Sequence, residues 1–357
     1  MKKICLLLNH LQLQDGVARV AIAIANCIAE HNNTEVTLIP IFKYNSEVID
    51  YLSPRVKVKP VFRTYFKGFK KIISYIPNKW MYNFLIGDRY DINIAFQHHL
   101  TPIIAAGIKD GIVSLGWMHG YDENLRFKKS YLSMKKMICV SKCNAERLKN
   151  AIGQYVEVDY CYNPIDDEAI RQQGNEAISI ERSKYVQFIS VGRMSEEKGY
   201  IRLLDCINKL KNEGYKFNLW LVGDGPQLSV LKQKTESLNI SDYVTFLGKR
   251  NNPHAFTAKS DVFICSSFSE GYSTACTEAV ILEVPVISTN VSGSHEIIEE
   301  AECGLVTKMD DDSLYNGLKM ILDNPNLIYE WKATLKKTKY NFSSQKRFEK
   351  IIKTLDL

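Results

Sequence analysis

The feature that most constrains this chain is a short apolar run followed by a longer helical pattern, repeated from end to end. Ile4–Leu8, Val36–Ile39, Ile92–Phe96, Ile112–Leu115 and Met137–Val140 are too short for buried helices and read as strands buried on both faces. Helical patterns such as Val17–Glu30 and Asn144–Asn150 lie between them. Strands of this kind pair in parallel and need helices on each side of the sheet. After Tyr155–Cys161 comes the turn-rich Tyr162-Asn163-Pro164-Ile165-Asp166, then a polar segment to Lys184. A second series follows: Tyr185–Val191, Phe217–Val222, Val244–Leu247, Val262–Cys265 and Val284–Ser288. The expected fold class is α/β, with two Rossmann-like doubly wound parallel sheets facing across a cleft. Residues 1–165 would form the first domain, completed by a C-terminal helix at 342–357, and residues 166–341 the second. A length of 357 residues agrees with two domains at roughly 150 residues each.

Apolar residues at 45% and charged residues at 24% exclude disorder and a fibrous repeat. The nine cysteines do not pair in motifs: Cys139 and Cys143 are four apart, the wrong spacing for a redox or zinc half-site. Cys5, Cys27, Cys161, Cys206, Cys265, Cys276 and Cys303 sit mostly in apolar runs and read as small core hydrophobes of a reducing compartment. The start, Met1-Lys2-Lys3 and an apolar run, imitates a signal peptide, but the run ends at Asn9-His10, too early for one. No stretch approaches the roughly 18 apolar residues of a membrane span. A soluble, cytoplasmic-type chain is expected. Its net charge of +6 is uneven. Tyr51–Gly87 contains no acidic residue, while Arg55, Lys57, Lys59, Arg63, Lys67, Lys70, Lys71 and Lys79 supply positive charge; the remainder is mildly acidic.

In open α/β sheets, ligands bind beyond the carboxyl ends of the strands, so the residues just after each strand matter most. Arg193 and Lys198 stand on a strand-to-helix loop, where a fork and a point charge could converge on a diphosphate. Alternatively they pair with Glu196 and Glu197 in a solvated loop. Gly223-Asp224-Gly225-Pro226 is no dinucleotide fingerprint, because Leu228 occupies the third glycine position. Those glycines permit a tight turn under a ligand or simply end the strand. After Val262–Cys265, Gly271, Tyr272, Ser273 and Thr274 would present backbone N–H groups at a helix start, a cradle for an anion. Glu270 precedes the cradle and Glu278 lies about one turn inside the helix; a carboxylate there can accept from two vicinal hydroxyls of a sugar. The bland alternatives are a cap for Glu270 and a dipole-favoured acid for Glu278. His119, just past Ile112–Leu115, could donate to a substrate hydroxyl or shuttle a proton; the other histidines lack such a place, apart from His98-His99. Gly16 precedes a helix and either lets a ligand approach or serves as its cap.

The set Gly192-Arg193…Lys198-Gly199, Gly223-Asp224-Gly225-Pro226 and Glu270-x7-Glu278 resembles the C-terminal domain of retaining GT-B glycosyltransferases of family four, the glycosyl transferases group 1. Pro285-Val286-Ile287-Ser288-Thr289 fits it as well, and Asn163-Pro164-Ile165-Asp166 looks like its interdomain linker. The resemblance is specific over residues 190–295 and looser in the first half. It implies a GT-B fold and transfer of a hexose from a nucleotide-sugar, foremost a UDP-sugar, to a lipid-linked or cell-surface glycan acceptor. Arg193 and Lys198 would bind the diphosphate and neutralise the leaving group. Glu278 would hold the ribose, and Glu270 with Gly271, Tyr272, Ser273 and Thr274 the transferred sugar and distal phosphate. His119 would contact the sugar from the opposite domain, Gly16 would lie by the diphosphate or acceptor, and the base would rest near Gly248-Lys249-Arg250. The implied chemistry is a same-face displacement guided by the leaving phosphate. The nucleotide-sugar is a co-substrate, so no cofactor is expected, and no metal: Asp310-Asp311-Asp312 reads as a helix start, not a strand-end metal motif. Two departures stand out: Ser273 where many members have proline, and Asp15-Gly16 in place of a glycine pair.

The basic segment bears on the acceptor. Phe66, Phe69, Ile73 and Ile76 recur at helical spacing within Arg63–Ile76, with Lys67, Lys70 and Lys71 on other faces, and Tyr65, Tyr75, Trp80 and Tyr82 add interfacial aromatics. Such a helix suits an anionic inner-leaflet membrane surface, here through residues 55–82. Alternatively it is a core helix with a solvated basic face. No nucleic-acid fold accompanies the patch, so no nucleic-acid partner is expected. The expected protein is a cytoplasmic sugar transferase peripheral to the inner membrane. A nucleotide-sugar epimerase of the same twin-sheet fold and a non-catalytic sugar- or nucleotide-binding module are the alternatives.

Overall fold

The structure is a computed structural model that describes residues 1–13, 15–62, 78–98, 100–107 and 112–357. It divides into two compact units: Met1–Pro164 with Arg347–Leu357, and Ile165–Lys346.

In the first unit the strands are β1 (Lys2–Leu11), β2 (Thr34–Tyr44), β3 (Val56–Val58), β4 (Ile92–Ala95), β5 (Val113–Met118), β6 (Lys136–Cys139) and β7 (Glu157–Tyr160). They form one sheet in the order β3-β2-β1-β4-β5-β6-β7, every neighbouring pair parallel. Its helices are α1 (Gly16–Glu30), α2 (Asn78–Leu85), α3 (Leu100–Ala105), α4 (Lys128–Tyr131) and α5 (Lys142–Ile152). Ile4 to Leu8 are fully buried, as strands covered by helices on both faces must be. β3 is missed by the apolar-run reading because Val56-Lys57-Val58 is short, alternating and at the sheet edge.

The second unit contains α6 (Asp167–Gly174), β8 (Val186–Val191), α7 (Tyr200–Asn212), β9 (Phe217–Val222), α8 (Leu228–Ser237), β10 (Val244–Gly248), α9 (Pro253–Ala258) and β11 (Val262–Cys265). It continues with α10 (Thr274–Ile281), β12 (Val286–Thr289), α11 (Ser294–Ala301), β13 (Leu305–Thr307), α12 (Asp311–Asp323) and α13 (Asn326–Thr338). The sheet order is β10-β9-β8-β11-β12-β13, again all parallel. α6 occupies part of the stretch that reads as polar linker; Asp166 caps it by accepting from Ala169 N. Asp310 likewise caps α12, accepting from Ser313 N at 2.7 Å. The sequence direction of crossovers reverses around β1 in one sheet and β8 in the other, and such a switch point opens a crevice at the strand ends.

The last helix, α14 (Ser344–Thr354), carries the chain from the second unit back to the first. There Lys350 pairs with Asp159 at 3.1 Å, Arg347 lies over the Tyr162 ring at 4.4 Å, and buried Lys136 donates to the Thr354 carbonyl at 3.3 Å while pairing with Glu157 at 3.0 Å. All nine cysteines are free, and only Cys143 is not buried.

The basic segment needs correction where it is described. Lys57 pairs with Glu35, Lys59 with Asp88 at 2.6 Å, and Arg55 reaches the Ala29 carbonyl at 3.5 Å, so acids outside the window neutralise part of it. Tyr82 is not interfacial: it is buried and donates to Asn93 at 2.6 Å. The expected basic amphipathic helix over 63–76 lies outside the described residues, as does His99. No helix among the described residues is long and apolar enough to cross a membrane.

Candidate functional site

The loops after β8, β9 and β11 are packed backbone against backbone. Gly199 has φ of +65°, and a Cβ there would run into the Ser266 carbonyl. Ser266 Oγ donates to the Lys198 carbonyl at 2.9 Å, and Phe268 N to the Glu197 carbonyl at 2.7 Å. Gly223, at φ of +138°, leaves no room for a Cβ against the Gly192 carbonyl, and Gly192 N and Met194 N donate to Val222 and Asp224 at 3.0 and 2.9 Å. The Gly223-Asp224-Gly225 glycines are therefore set by close loop-to-loop approach. Behind the loops, Arg202 is buried. It donates to the carbonyls of Ser266 (2.8 Å), Ser267 (2.7 Å) and Met309 (2.8 Å), and its guanidinium lies 4.0 Å from the Phe268 ring centre.

Within this frame Lys198 Nζ meets Glu270 Oε1 at 2.7 Å, and Ser267 Oγ donates to the same oxygen at 2.6 Å. Burial pulls the Lys198 ammonium down, but the charge and hydrogen bond of Glu270 outweigh it and hold it above its ordinary value. It is thus charged throughout the physiological range. Of the two sequence alternatives for Lys198, the solvated loop paired to Glu196 or Glu197 is not what forms; Glu197 accepts from Ser195 Oγ at 2.5 Å. Arg193 is exposed, within electrostatic reach of Glu197.

Ser273 caps α10, accepting from Cys276 N at 3.3 Å, which is why serine is tolerated at this position. Tyr272 is buried against Gly293, itself in the left-handed region at φ of +79°. Among the described residues nothing accepts from the N–H groups of Gly271, Ser273 or Thr274. Those donors at a helix start fit an anion. One turn into α10, Glu278 lies 3.3 Å from His254 Nε2, whose Nδ1 is 2.7 Å from Gln173 Oε1. His254 was not picked out in the sequence; the available signal was Asn252-Pro253, a cap-and-first-turn pair just after β10. Arg250, also after β10, is exposed and stacks on Phe256 at 5.3 Å.

In the first unit the end of β1 and the loops after β1 and β4 are joined by side chains. Gln97 Oε1 accepts from Asn9 N (2.6 Å) and His10 N (3.2 Å), and its Nε2 donates to Asp15 Oδ2 at 3.2 Å. Asn9 donates to the His98 carbonyl. Asp15, not Gly16, caps α1, accepting from Val17 N at 2.9 Å, and a Cβ on Gly16 would meet no protein atom. Past β5, His119 packs on Phe96 with ring centres 4.6 Å apart. Burial, chiefly, and the nearby His98 lower its pKa to about 3 against the opposing pull of its hydrogen bond to the Phe96 backbone. The ring is neutral at physiological pH, and its Nε2 is buried with no hydrogen-bond partner among the described residues. With the Phe96 carbonyl taking the ring N–H, Nε2 is left as an acceptor. That corrects both sequence roles: this imidazole would accept from a hydroxyl, and it is a poor proton shuttle at neutral pH.

Residues 172–340 match the profile of the family described as glycosyl transferases group 1. A Campylobacter jejuni protein, N-acetylgalactosamine-N,N'-diacetylbacillosaminyl-diphospho-undecaprenol 4-alpha-N-acetylgalactosaminyltransferase, is 31% identical over 199 residues, covering 55% of this chain and 53% of that protein. The chain thus spans about half the length of that relative. The Rhizobium meliloti lipopolysaccharide core biosynthesis glycosyltransferase LpsD is 24% identical over 251 residues, 70% of each chain. Among solved structures, Anabaena HepE in complex with UDP aligns over 100% of both chains with a TM-score of 0.77 at 17% identity. The lipopolysaccharide outer core galactosyltransferase WaaB aligns over 99% of both at 0.73, also at 17% identity. Identities this low carry the fold alone, while the profile match covers the loops that hold Arg193, Lys198, Glu270 and Glu278. The chain has the GT-B fold, and its residues 172–340 match the glycosyl transferases group 1 family.

Proposed function

We propose that this chain is a retaining, metal-independent hexosyltransferase that moves a sugar from a UDP-sugar to a lipid-linked or cell-surface glycan. The observation that carries the reading is the Lys198–Glu270 pair at 2.7 Å beside the unpartnered N–H groups at the start of α10. Together they offer a half-buried cation, a carboxylate and a helix N-terminus at the carboxyl ends of β8 and β11. In this reading Lys198 and Arg193 take the diphosphate, Glu270 the transferred sugar, and Glu278, steadied by His254, the ribose hydroxyls. Arg250 lies by the base, and His119 Nε2 accepts from a sugar hydroxyl. The bond from the sugar's anomeric carbon to the β-phosphate oxygen breaks while the acceptor oxygen bonds to that carbon on the same face. The acceptor proton passes to the departing phosphate, whose growing negative charge Lys198 and Arg193 offset.

UDP as donor nucleotide is supported by the UDP complex of HepE, and a lipid-linked acceptor by the undecaprenol-linked acceptor in the name of the Campylobacter relative. Docking to the inner leaflet is supported by Trp80 and Phe84. They are 71% and 79% exposed and four residues apart on α2, hence on one helix face. The test is acceptor-dependent release of UDP from UDP-sugars. Lys198→Ala should lower turnover by roughly 10²–10³-fold, the range for removing one transition-state charge partner. Glu278→Ala should raise the donor KM. Unchanged turnover in both variants would sink the site assignment. Trp80→Glu with Phe84→Glu should abolish sedimentation with anionic liposomes; full sedimentation of that variant would remove the membrane face.

A further inference from the structure

The strands that end at the donor site begin, at the opposite edge of the same sheet, around a groove with a volume of about 370 Å³. Arg182, Lys184 and Tyr185 lead into β8, Tyr215 and Lys216 into β9, and Asp261 into β11; Pro325 and Tyr329 at the α13 start form the other wall. β8 and β9 are six residues long, so the groove lies about 20 Å from the donor loops at roughly 3.3 Å per residue.

Its charges do not balance. Asp261 is buried and shared: Arg182 and Gln187 N (2.9 Å) hold one oxygen, and Lys332 approaches the other at 3.6 Å. Burial pulls the Lys332 ammonium down, Asp261 pulls it up, and the repulsion of Arg182 lowers it again, leaving it below its ordinary value. At the mouth, Lys184 and Lys216 pair with no carboxylate among the described residues. Lys184 sits over the Tyr185 ring at 5.3 Å, and Lys216 donates to the Tyr243 hydroxyl at 3.4 Å. Asp323 is engaged by the Tyr215 hydroxyl. Tyr329 is 73% exposed and Tyr185 40%. Flat, exposed tyrosine faces stack on the C–H face of a pyranose, and unneutralised lysines meet carboxylates. A nucleic-acid strand would need a continuous basic track; apolar Leu322, Pro325 and Ile328 line part of this groove.

We propose that this groove is a second carbohydrate site, which holds an acidic, uronate-bearing stretch of glycan remote from the donor. The identification as glycan rests on the glycan-transfer reading, and the charge of the ligand on the groove itself. The test is calorimetric titration of the full chain with hexagalacturonate, maltohexaose and a single-stranded oligonucleotide, with UDP as a separate titrant. Hexagalacturonate should bind the wild type. Lys184→Glu with Lys216→Glu should weaken it at least tenfold, the scale of losing one charge-assisted contact, and leave UDP affinity unchanged. Tyr329→Ala should weaken it without changing its salt dependence. The proposal is overturned by absence of hexagalacturonate binding to the wild type, by equal affinity in the charge-reversed variant, or by equal or tighter binding of maltohexaose or the oligonucleotide. A chain that binds hexagalacturonate at this groove yet releases no UDP from any UDP-sugar keeps the groove and loses the transferase reading.

Discussion

The two units share a sheet topology but hold their strand-end loops in different ways. In the second unit the loops after β8, β9 and β11 meet backbone to backbone, with glycines where no Cβ fits and Arg202 fastening three carbonyls from behind. In the first, the loops after β1 and β4 meet through Gln97, Asn9 and Asp15. Backbone contact leaves no rotamer to reorder, so these loops are fixed before any ligand arrives, which suits the electrostatic stabilisation of a leaving diphosphate proposed for them. Amide bridges can be remade with other partners.

That contrast has a direct measurement. Arg202→Met should lower unfolding stability by about 4 kcal/mol, since it leaves buried carbonyls without donors at roughly 1–3 kcal/mol each. Gln97→Met should cost about 1–2 kcal/mol, because its partners are only part-buried and water can replace the amide. Urea midpoints of the two variants read the difference. Equal losses would break the distinction between the units. Next in size is Gly223→Ala, at about 2–3 kcal/mol: the left-hand φ and the Gly192 carbonyl both oppose a methyl group. Because Gly223 touches the loop that carries Arg193, UDP affinity should fall along with stability. A variant that loses stability but keeps UDP affinity would show that the loop contact does not shape the donor site.

The same contrast governs what could be read in the sequence. β8, β9, β11 and β12 were legible because a parallel strand covered on both faces must be continuously apolar. The strand-end placement of Arg193, Lys198, Glu270 and Glu278 was legible because they stand at fixed offsets from those strands. β13 was not, since Leu305-Val306-Thr307 is a three-residue edge strand that any loop could imitate. Arg202 and His254 were not either. Arg202 faces inward on α7, a position that period alone assigns to an apolar residue, and only the three carbonyls around it explain the charge. His254 acquires meaning only once α9 brings it to Glu278. In the first unit, Gln97 and Asn9 are ordinary amides at strand ends until their partners on the neighbouring strand are known.

His119 sharpens the comparison through pH. Its folded pKa, about 3, lies below the ordinary value near 6.5. A depressed histidine binds fewer protons when folded, so its contribution to stability is complete above about pH 6.5 and declines as pH falls toward 3. Urea unfolding of the wild type should therefore lose stability over that window more steeply than His119→Gln, by up to one proton's worth of slope. Parallel curves would mean that the imidazole is not shielded, and would return a proton-shuttling role to it.

The smallest expected effect is also the most diagnostic for the first unit. Gly16 is the first residue of α1, capped by Asp15, and a methyl group on it would touch no protein atom. On folding grounds Gly16→Ala should then be neutral or gain up to about 0.5 kcal/mol, since alanine has the better helix propensity. If the open space in front of α1 belongs to a substrate, the same methyl group should raise a KM while the urea midpoint stays in place. A neutral result in both measurements would make Gly16 a residue without a task.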